Sequence, residues 1–250
     1  AGGGFAGCEC ACALSRHGIP VTLYEMKPSK FSPAHVSPML CELVCSNSFK
    51  SSLHGTAAGL MKEEMEMLGS VCVPAAKQCA VPAGGALADD RDAFGGLMTS
   101  IIENDPNITL KRCEMTQLPQ STEDKAVIIA AGPLCSDALS QQIISLTGHD
   151  SFSFYDAAAP VISADSVDMS KAFFMSRYGK GDTDDYLNCP MTEDEYKAFY
   201  EQLIGARVAK TRELDKRHGI YEGCMPIEIM ASRGQDTMRF GPLKPVGLTD

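Results

Sequence analysis

An α/β fold with a mostly parallel sheet, carrying a smaller α+β region, is the fold class that this sequence predicts. A glycine-rich turn at Gly2–Gly7 runs into a helix pattern, helix and strand patterns alternate through about residue 150, and the pattern changes beyond that point. We therefore expect a Rossmann-like domain over residues 1–150, an inserted region over 151–240 and a return to the first domain beginning at 241–250.

Local patterns place the individual elements. Small residues at Cys8–His17 predict a helix that packs closely on a sheet and ends at Gly18, and the β-rich Val21–Glu25 predicts the next strand. The other expectations are a loop at 28–38, a helix at 56–68 with Leu60, Met61, Met65 and Leu68 on its apolar face, a strand within 71–81, a glycine loop at 82–86, a helix at 90–103, strands at 108–113 and 126–130, β-like segments within 152–174, and a helix at 192–206 opened by a Thr192/Glu195 capping box.

Composition limits the class of protein. No run approaches the roughly 18 apolar residues that cross a bilayer, and no export signal is visible, so we expect a cytoplasmic protein without a membrane partner. The 11 cysteines are odd in number and irregularly spaced, which favours reduced thiols. A net charge of −10 argues against broad nucleic-acid binding, so any RNA contact needs a local basic patch. Arg207–Arg217 is the candidate, although a solvated helix face explains it as well.

The glycine turn carries the first functional motif. Its sequence fits G-x-G-x-x-G, in which the first glycine permits a tight turn, the second lets the backbone approach a pyrophosphate, and the third lets the helix pack closely. Glu25 lies 18 residues after Gly7, at the end of the next strand, where a carboxylate can accept hydrogen bonds from a ribose. The strand that should precede the turn is missing, and a plain glycine turn is the alternative. The predicted dinucleotide-binding residues are Gly2, Gly3, Gly4, Phe5, Ala6, Gly7 and Glu25.

Two further segments favour FAD over NAD as the dinucleotide. The apolar run at 127–131 leads into Gly132 and resembles the later strand-and-glycine motif of two-dinucleotide-fold flavoproteins. Asp90 and Arg91, followed by Phe94, resemble the helix start that those flavoproteins place after their second glycine loop. Ordinary sheet and helix structure is the alternative for each segment. We therefore add Asp90, Arg91 and Gly132 to the expected FAD-binding residues.

The cysteines divide into two groups. Cys8 and Cys12 share one face of the first helix while Cys10 points elsewhere, which suits packing better than a metal site, and we expect no metal. Cys45 and Cys224 instead lie among polar and glycine neighbours, where a reactive thiolate is possible, although composition alone favours packing for them too. His35 is a candidate general base, with a structural role as the alternative.

Longer segments resemble the folate- and FAD-dependent tRNA (uracil-5-)-methyltransferase family. They span residues 42–48, 81–88, 186–192, 222–226 and 239–247, and the resemblance runs from residue 2 to residue 250. The triple-glycine turn also resembles that of a related tRNA wobble-uridine-modifying flavoprotein, but the other segments do not. On this resemblance the chain is the N-terminal part of such an enzyme, without the C-terminal half, and isolated activity is doubtful.

The resemblance implies a specific chemistry. In this family 5,10-methylenetetrahydrofolate donates a one-carbon unit, reduced FAD supplies a hydride, NADH or NADPH regenerates the flavin, and uridine 54 in the T-loop of tRNA becomes 5-methyluridine. The flanking residues of Cys45 and Cys224 match those of the family's catalytic cysteines, but which one attacks uracil stays open. We expect tRNA and folate as partners and no stable protein partner. An FAD- or NAD-dependent oxidoreductase, a related flavin-dependent tRNA-modifying enzyme, and a nucleotide-binding module without catalysis are the alternatives.

Overall fold

The computed structural model describes residues 1–148, 162–176, 183–208, 227–240 and 243–244. Their elements are α1 (Phe5–Arg16), β1 (Val21–Glu25), β2 (Ser48–Ser51), α2 (Ala57–Met67), α3 (Cys72–Gln78), β3 (Ala80–Val81), β4 (Ala86–Asp89), α4 (Arg91–Glu103), β5 (Ile108–Arg112), α5 (Asp137–Thr147), a 3-10 turn (Ala164–Ser166), β6 (Phe173–Phe174), β7 (Leu187–Asn188), α6 (Glu193–Ile204), α7 (Ile227–Ser232) and α8 (Gln235–Arg239). None of the helices in these ranges is both long and apolar enough to cross a bilayer. The chain divides into two compact units, residues 1–81 with 86–152 and residues 82–85 with 153–250.

The first unit is built on a parallel strand pair. β1 and β5 pair in register from Val21 with Ile108 to Glu25 with Arg112, and a helix-containing crossover joins them. A second, antiparallel sheet has the strand order β2-β4-β3. The prediction of an α/β domain with a parallel sheet is therefore confirmed, as are the helices starting in the glycine turn and at Asp90 and the strands at Val21 and Ile108.

The core of the first unit lies between α1, α4 and the parallel pair. Phe94, Met98 and Ile102 occupy successive turns of α4 and are fully buried, as the i, i+4 spacing of a helix face requires. Cys8 and Cys12 bury the facing side of α1 in the same cluster. The prediction that these two cysteines are packing residues agrees with this burial.

The chain start lies between two other segments of the unit. The amide of Gly2 donates to the carbonyl of Tyr24 (2.8 Å), and the amide of Ala130 donates to the carbonyl of Ala1 (2.7 Å). The expected strand at 126–130 is wrong as a regular strand. Within the described residues its backbone is bound to Ala1, through Ile128 and Ala130, and to the Ser121 hydroxyl, through Val127, and it pairs with no strand. Its expected position beside the glycine turn is nevertheless what these bonds produce.

The expected strand within 71–81 is wrong over most of its length, because residues 72–78 form α3. The carboxylate of Glu9 accepts the amides of Val71 and Cys72, so a side chain from α1 caps the first turn. Ala75 and Ala76 are buried on the core side. Tertiary capping and packing thus override the β-preference of the local sequence.

The helix expected at 56–68 is confirmed as α2, but its predicted buried face is wrong. Leu60, Met61 and Leu68 are 48%, 55% and 84% exposed, whereas Gly59 and Lys62 are buried. A Cβ on Gly59 would lie 2.0 Å from the carbonyl oxygen of Leu53, and the Lys62 ammonium donates to the carbonyl of Ser51 (2.9 Å). Close backbone approach, rather than hydrophobicity, selects the face of α2 that packs.

The second unit contains a short antiparallel pair, β6 with β7, and a small helical cluster. Tyr196, Ala231 and Met238 form its buried centre, and the Tyr196 hydroxyl donates to the carbonyl of Gln235 (2.6 Å). The predicted Thr192/Glu195 capping box is present at the start of α6. Of the β-like stretch expected at 152–174, the described part, 162–174, contains the 3-10 turn and β6, whereas residues 152–161 lie outside the described residues. Residues 209–217 of the basic segment also lie outside them.

Met98 provides a test of the core of the first unit. Replacing the fully buried Met98 with Ala should lower the free energy of unfolding by about 2–5 kcal/mol, because the truncation leaves a cavity. The matched change Met67→Ala, at a side chain that is 88% exposed, should alter it by less than about 0.5 kcal/mol. Urea denaturation followed by far-UV circular dichroism measures both, and equal effects would contradict this core assignment.

Candidate active site

The glycine turn Gly2–Gly7 has the backbone geometry that its motif requires. Gly2 has a φ of +105°, which favours glycine, and a Cβ there would lie 2.3 Å from the carbonyl oxygen of Ala130. A Cβ on Gly7 would lie 1.8 Å from the carbonyl oxygen of Gly2, so the first turn of α1 packs directly against the start of the loop. Both positions exclude any larger residue.

Gly4 differs from these two glycines because the space around it is open. It is exposed, it precedes α1 as the N-cap residue, and a Cβ built on it meets no atom within 4 Å. The helix's own hydrogen bonding starts with the amide of Cys8 donating to the carbonyl of Gly4 (3.0 Å). The preceding amides, at Phe5, Ala6 and Gly7, therefore face the helix N-terminus, where backbone N–H groups and the helix dipole favour an anion.

Glu25 lies at the end of β1 and is bound to the glycine turn. Its buried carboxylate accepts the amide of Gly3 through Oε2 (2.7 Å) and the amide of Lys27 through Oε1 (2.9 Å). Each carboxylate oxygen has a second lone pair, so the group keeps the capacity to accept a ribose hydroxyl. The sequence placed Glu25 next to the turn, and the structure adds that it fixes the conformation of Gly3.

Asp90 and Arg91 lie at the start of α4. The Asp90 carboxylate caps this helix by accepting the amides of Asp92 and Ala93 (3.0 and 2.9 Å), and Arg91 is exposed. Phe94 in the first turn of α4 stacks on Phe5 in the first turn of α1, with ring centroids 5.7 Å apart. The N-terminal turns of the two helices are thus packed side by side.

Gly132 is the last predicted cofactor residue. It is exposed, has a φ of +65°, and a Cβ on it would meet nothing within 4 Å. The backbone just before it runs beside the glycine turn, because the Cα of Ala131 lies 2.8 Å from the position of a Cβ on Gly2. Gly132 therefore follows directly on the segment that borders the turn.

Cys45 is exposed and is held between two anchored segments of the first unit. On one side the amide of Cys41 donates to the carbonyl of Gly3 (2.9 Å), and four residues span at most about 14 Å. On the other side Phe49 packs against both Phe5 and Phe94, with centroid separations of 5.5 and 5.4 Å. Both anchors belong to the ends of α1 and α4 that the motif assigns to the cofactor.

Cys224 lies outside the described residues, as does the whole segment 222–226. The expectation that both cysteines border one cavity therefore stays a prediction.

A buried ion pair orders the chain before Cys45. The Lys27 ammonium bonds to Glu42 Oε2 (2.9 Å) with side chains only 4% and 8% exposed, and it also donates to the carbonyl of Met39 (2.7 Å). Burial alone favours the neutral acid, but the amides of Val36 and Ser37 and the Lys27 ammonium outweigh it and hold the pKa of Glu42 below its ordinary value. No local pattern predicts this pair, because a proline-rich loop separates Lys27 from Glu42 in the chain.

His35, the candidate base, lies in the same loop. Its Nδ1 is 2.5 Å from the Ser32 hydroxyl, and burial together with the nearby Lys27 ammonium lowers the pKa of the imidazole. The neutral ring can act as an acceptor or a base, but the Ser32 contact equally serves to close the loop.

The structure reveals a carboxylate that sequence reasoning missed. Asp89, at the end of β4, is 1% exposed, and neither of its carboxylate oxygens has a hydrogen-bond partner among the residues that the structure describes. Burial raises the pKa of this carboxyl from 3.8 to about 6. An acid directly after the apolar run Ala86–Ala88 is unusual, but the sequence does not show that its side chain is buried.

Two other thiols near the turn, Cys41 and Cys12, are buried packing groups. Contacts with the thiols of Cys72 and Cys8, together with burial, raise the pKa of Cys41 well above its ordinary value, and burial raises that of Cys12 to about 11. Within the described ranges no group of His, Cys, Asp and Glu side chains has the geometry to hold a metal ion.

Comparison with known proteins adds a family. A family profile described as "Glucose inhibited division protein A" matches residues 1–250. The chain is 53% identical over 249 residues to an Aquifex aeolicus protein and 54% identical over 249 residues to one from Geotalea uraniireducens. A Bacillus cereus protein is 49% identical over the same length. All three are named methylenetetrahydrofolate–tRNA-(uracil-5-)-methyltransferase TrmFO, which confirms the resemblance found in the sequence.

The match covers all of this chain but only part of each relative. The aligned region is 100% of the chain and 55% of the Aquifex aeolicus protein, and 56% of the other two. The chain thus spans about half the length of the curated relatives that it matches.

Asp89 gives a testable pH dependence. A carboxyl whose pKa is raised on folding binds more protons in the native than in the unfolded state, so its contribution to stability falls as pH rises from about 4 to about 6 and stays at its minimum above that. Asp89→Val, which removes the unpaired acid, should therefore raise the free energy of unfolding at pH 7.5 by roughly 1–3 kcal/mol, and by less at pH 4.5. Denaturation at both pH values measures the difference, and a gain that is independent of pH would contradict it.

Proposed function

The chain belongs to the glucose inhibited division protein A family, and we propose that it forms the N-terminal part of a tRNA methyltransferase that makes 5-methyluridine with methylenetetrahydrofolate and FAD. The names of its relatives at 49–54% identity supply the reaction class. One observation in the structure carries the proposal for this chain: the exposed thiol of Cys45 is tied, through Cys41 and Phe49, to the turn and helix ends that suit a dinucleotide.

The residues of the turn fit the proposed FAD. The open space at Gly4 and the N-terminal amides of α1 suit the pyrophosphate, and the free lone pairs of Glu25 suit the adenosine ribose. Gly132 and the start of α4, with Asp90 and Arg91, supply further exposed backbone and charge on the same unit. When bound, FAD supplies the hydride that reduces the transferred one-carbon unit to a methyl group.

We assign Cys45 the nucleophilic role, on the ground that its thiol is exposed. Carbon 5 of uracil is a poor nucleophile until a thiolate adds to carbon 6, which moves the electron pair of the 5,6 double bond into an enolate. Carbon 5 can then form its bond to the one-carbon unit, and a base removes the carbon 5 proton as the bond between that unit and the folate nitrogen breaks. Addition of a hydride to the resulting exocyclic carbon expels the thiolate from carbon 6 and leaves the methyl group on a restored 5,6 double bond. The resemblance matches both cysteines to the family's catalytic pair, so we assign the second thiol function to Cys224.

The finer features of the reaction are part of the same proposal. We assign the substrate position to uridine 54 of the T-loop and the reductant to NADH or NADPH, in a cytoplasmic enzyme. The later residues, 151–240, serve as the inserted substrate-side region, and 241–250 begin the return to the flavin domain. The basic residues between Arg207 and Arg217 are the candidate RNA contact, because the chain is otherwise acidic.

Gly4 tests the cofactor site separately from the fold. Gly4→Leu should leave the fold intact, because the backbone is extended at φ −81° and a side chain meets no protein atom within 4 Å. The same side chain should exclude the pyrophosphate, so the complete protein should purify with less than about a tenth of the normal flavin content, measured by absorbance. Gly55→Leu, at another glycine with open surroundings, is the matched control and should retain its flavin. Normal flavin in the Gly4 variant would refute this cofactor site.

Cys45 tests the chemistry. Cys45→Ser in the complete protein should lower 5-methyluridine formation in unmodified tRNA by at least about 10³-fold, because a serine hydroxyl is essentially un-ionised near neutrality. Cys224→Ser should have a similar effect, and both variants should keep their flavin. Cys113→Ser, at another exposed thiol of the first unit, is the control that should retain full activity. Normal methylation by the Cys45 variant would show that this thiol has no catalytic role.

A further inference from the structure

Asp89 combines two properties that are rarely found together in a strand. Its carboxyl group is buried, and neither oxygen has a hydrogen-bond partner among the described residues. Leu87, two positions earlier and therefore on the same face of β4, belongs to the hydrophobic core, so the acid lies on a core-facing position. A buried polar group without a partner is destabilising, so its presence at this position needs an explanation.

The backbone of Asp89 holds the segment that carries Cys45. The amide of Asp89 donates to the carbonyl of Asn47 (2.8 Å), and the Asn47 side-chain amide donates to the carbonyl of Asp89 (2.9 Å). Asn47 lies two residues after Cys45. This reciprocal pair is therefore the first anchor that the chain meets beyond the thiol.

The charged groups around Asp89 do not compensate its charge. On the neighbouring segments, Cys79 has its pKa raised by burial and then by the Asp89 and Asp90 charges, and the Asp90 carboxylate caps α4. The cations on elements packed against β4 are directed elsewhere: Lys77 pairs with Glu66, and Lys50 and Arg91 are exposed. Ionised Asp89 would thus lie in a negative, apolar environment.

We propose that Asp89 is a positioning residue for Cys45. Its neutral carboxyl keeps the end of β4 in the core, where the two hydrogen bonds between the Asp89 backbone and Asn47 are formed, and its ionisation breaks these two bonds. The inference rests on the proposed function only in giving Cys45 a catalytic role. An ionised carboxylate without a partner is stabilised when water hydrates it, and water reaches Asp89 only if the end of β4 moves outward. Such a movement separates the backbone of Asp89 from Asn47, and the Cys45 segment then loses the nearest anchor on its C-terminal side.

The effect of Asp89 ionisation on the equilibrium that breaks the Asn47 contact has an upper bound. The pKa of Asp89, raised by burial to about 6, supports the neutral state below that pH. By linkage, the gap from 3.8 to about 6 limits the change in the opening equilibrium to roughly 100-fold as pH rises through this range.

Amide hydrogen exchange on the purified complete protein tests the anchor directly, without tRNA, folate or turnover. Protection factors for peptides covering 45–51 and 86–90, corrected for intrinsic exchange rates, should fall by up to about 50-fold between pH 4 and pH 7, with half of the logarithmic change reached near pH 5 and a plateau above about pH 6. Asp89→Asn, which carries no charge at any pH, should show no such transition. Asp92→Asn removes an exposed carboxylate in the first turn of α4 and should keep the transition of the unaltered protein.

A second readout connects the anchor to the thiol. The alkylation rate of Cys45 relative to the exposed Cys113, measured by peptide mass spectrometry, should change with the same midpoint in the unaltered protein and stay constant in the Asp89 variant. If Asp89→Asn does not fold, Asp89→Val serves instead, because a β-branched apolar residue suits a buried strand. A transition that persists in the variant, or an exchange transition without any change at Cys45, would overturn the positioning role. Because neither readout involves methylation, failure here leaves the proposed function standing.

Discussion

The two hydrogen bonds of Gly3 are the constraint on which the first unit depends. Its amide binds the Glu25 carboxylate at the end of β1, and its carbonyl accepts the amide of Cys41 (2.9 Å). A Cβ on Gly3 would lie 2.6 Å from a methyl carbon of Leu40 and 2.7 Å from Glu25 Oε2, so only glycine permits both contacts. One residue thus joins the strand, the turn and the segment that leads to Cys45.

This junction explains how a long irregular loop can present a thiol at a defined place. The loop between β1 and β2 has little regular structure, yet its amides are bound by fixed groups: Val36 and Ser37 by the Glu42 carboxylate, and Leu40 by the Thr99 hydroxyl (2.9 Å). The buried Lys27 ammonium supplies the counter-charge to Glu42. Removing one member of such a pair leaves an uncompensated buried charge, so the loop is ordered only when both are present.

The sequence allowed prediction of elements whose signals are local. The glycine motif, the Asp90 cap and the Thr192/Glu195 capping box depend on residues within one turn, and each element forms where expected. The failures came where distant groups decide the outcome. Glu9 caps α3 across 62 positions to Val71, and Lys62 reaches the carbonyl of Ser51 instead of solvent. Nothing in a short window of sequence shows these partners, and the same holds for the burial of Asp89.

The candidate site was predictable to the same extent and for the same reason. The motif identified the turn and Glu25, and the family resemblance identified Cys45, but the two carboxylates flanking that thiol came only from the structure. Glu42 receives two backbone amides and an ammonium and therefore stays ionised, whereas Asp89 receives no partner and is held neutral by burial up to about pH 6. Environment alone therefore gives these two acids opposite charge states below about pH 6. The chain around Cys45 is consequently tied on its N-terminal side by a permanent charge pair and on its C-terminal side by an anchor that depends on a single proton.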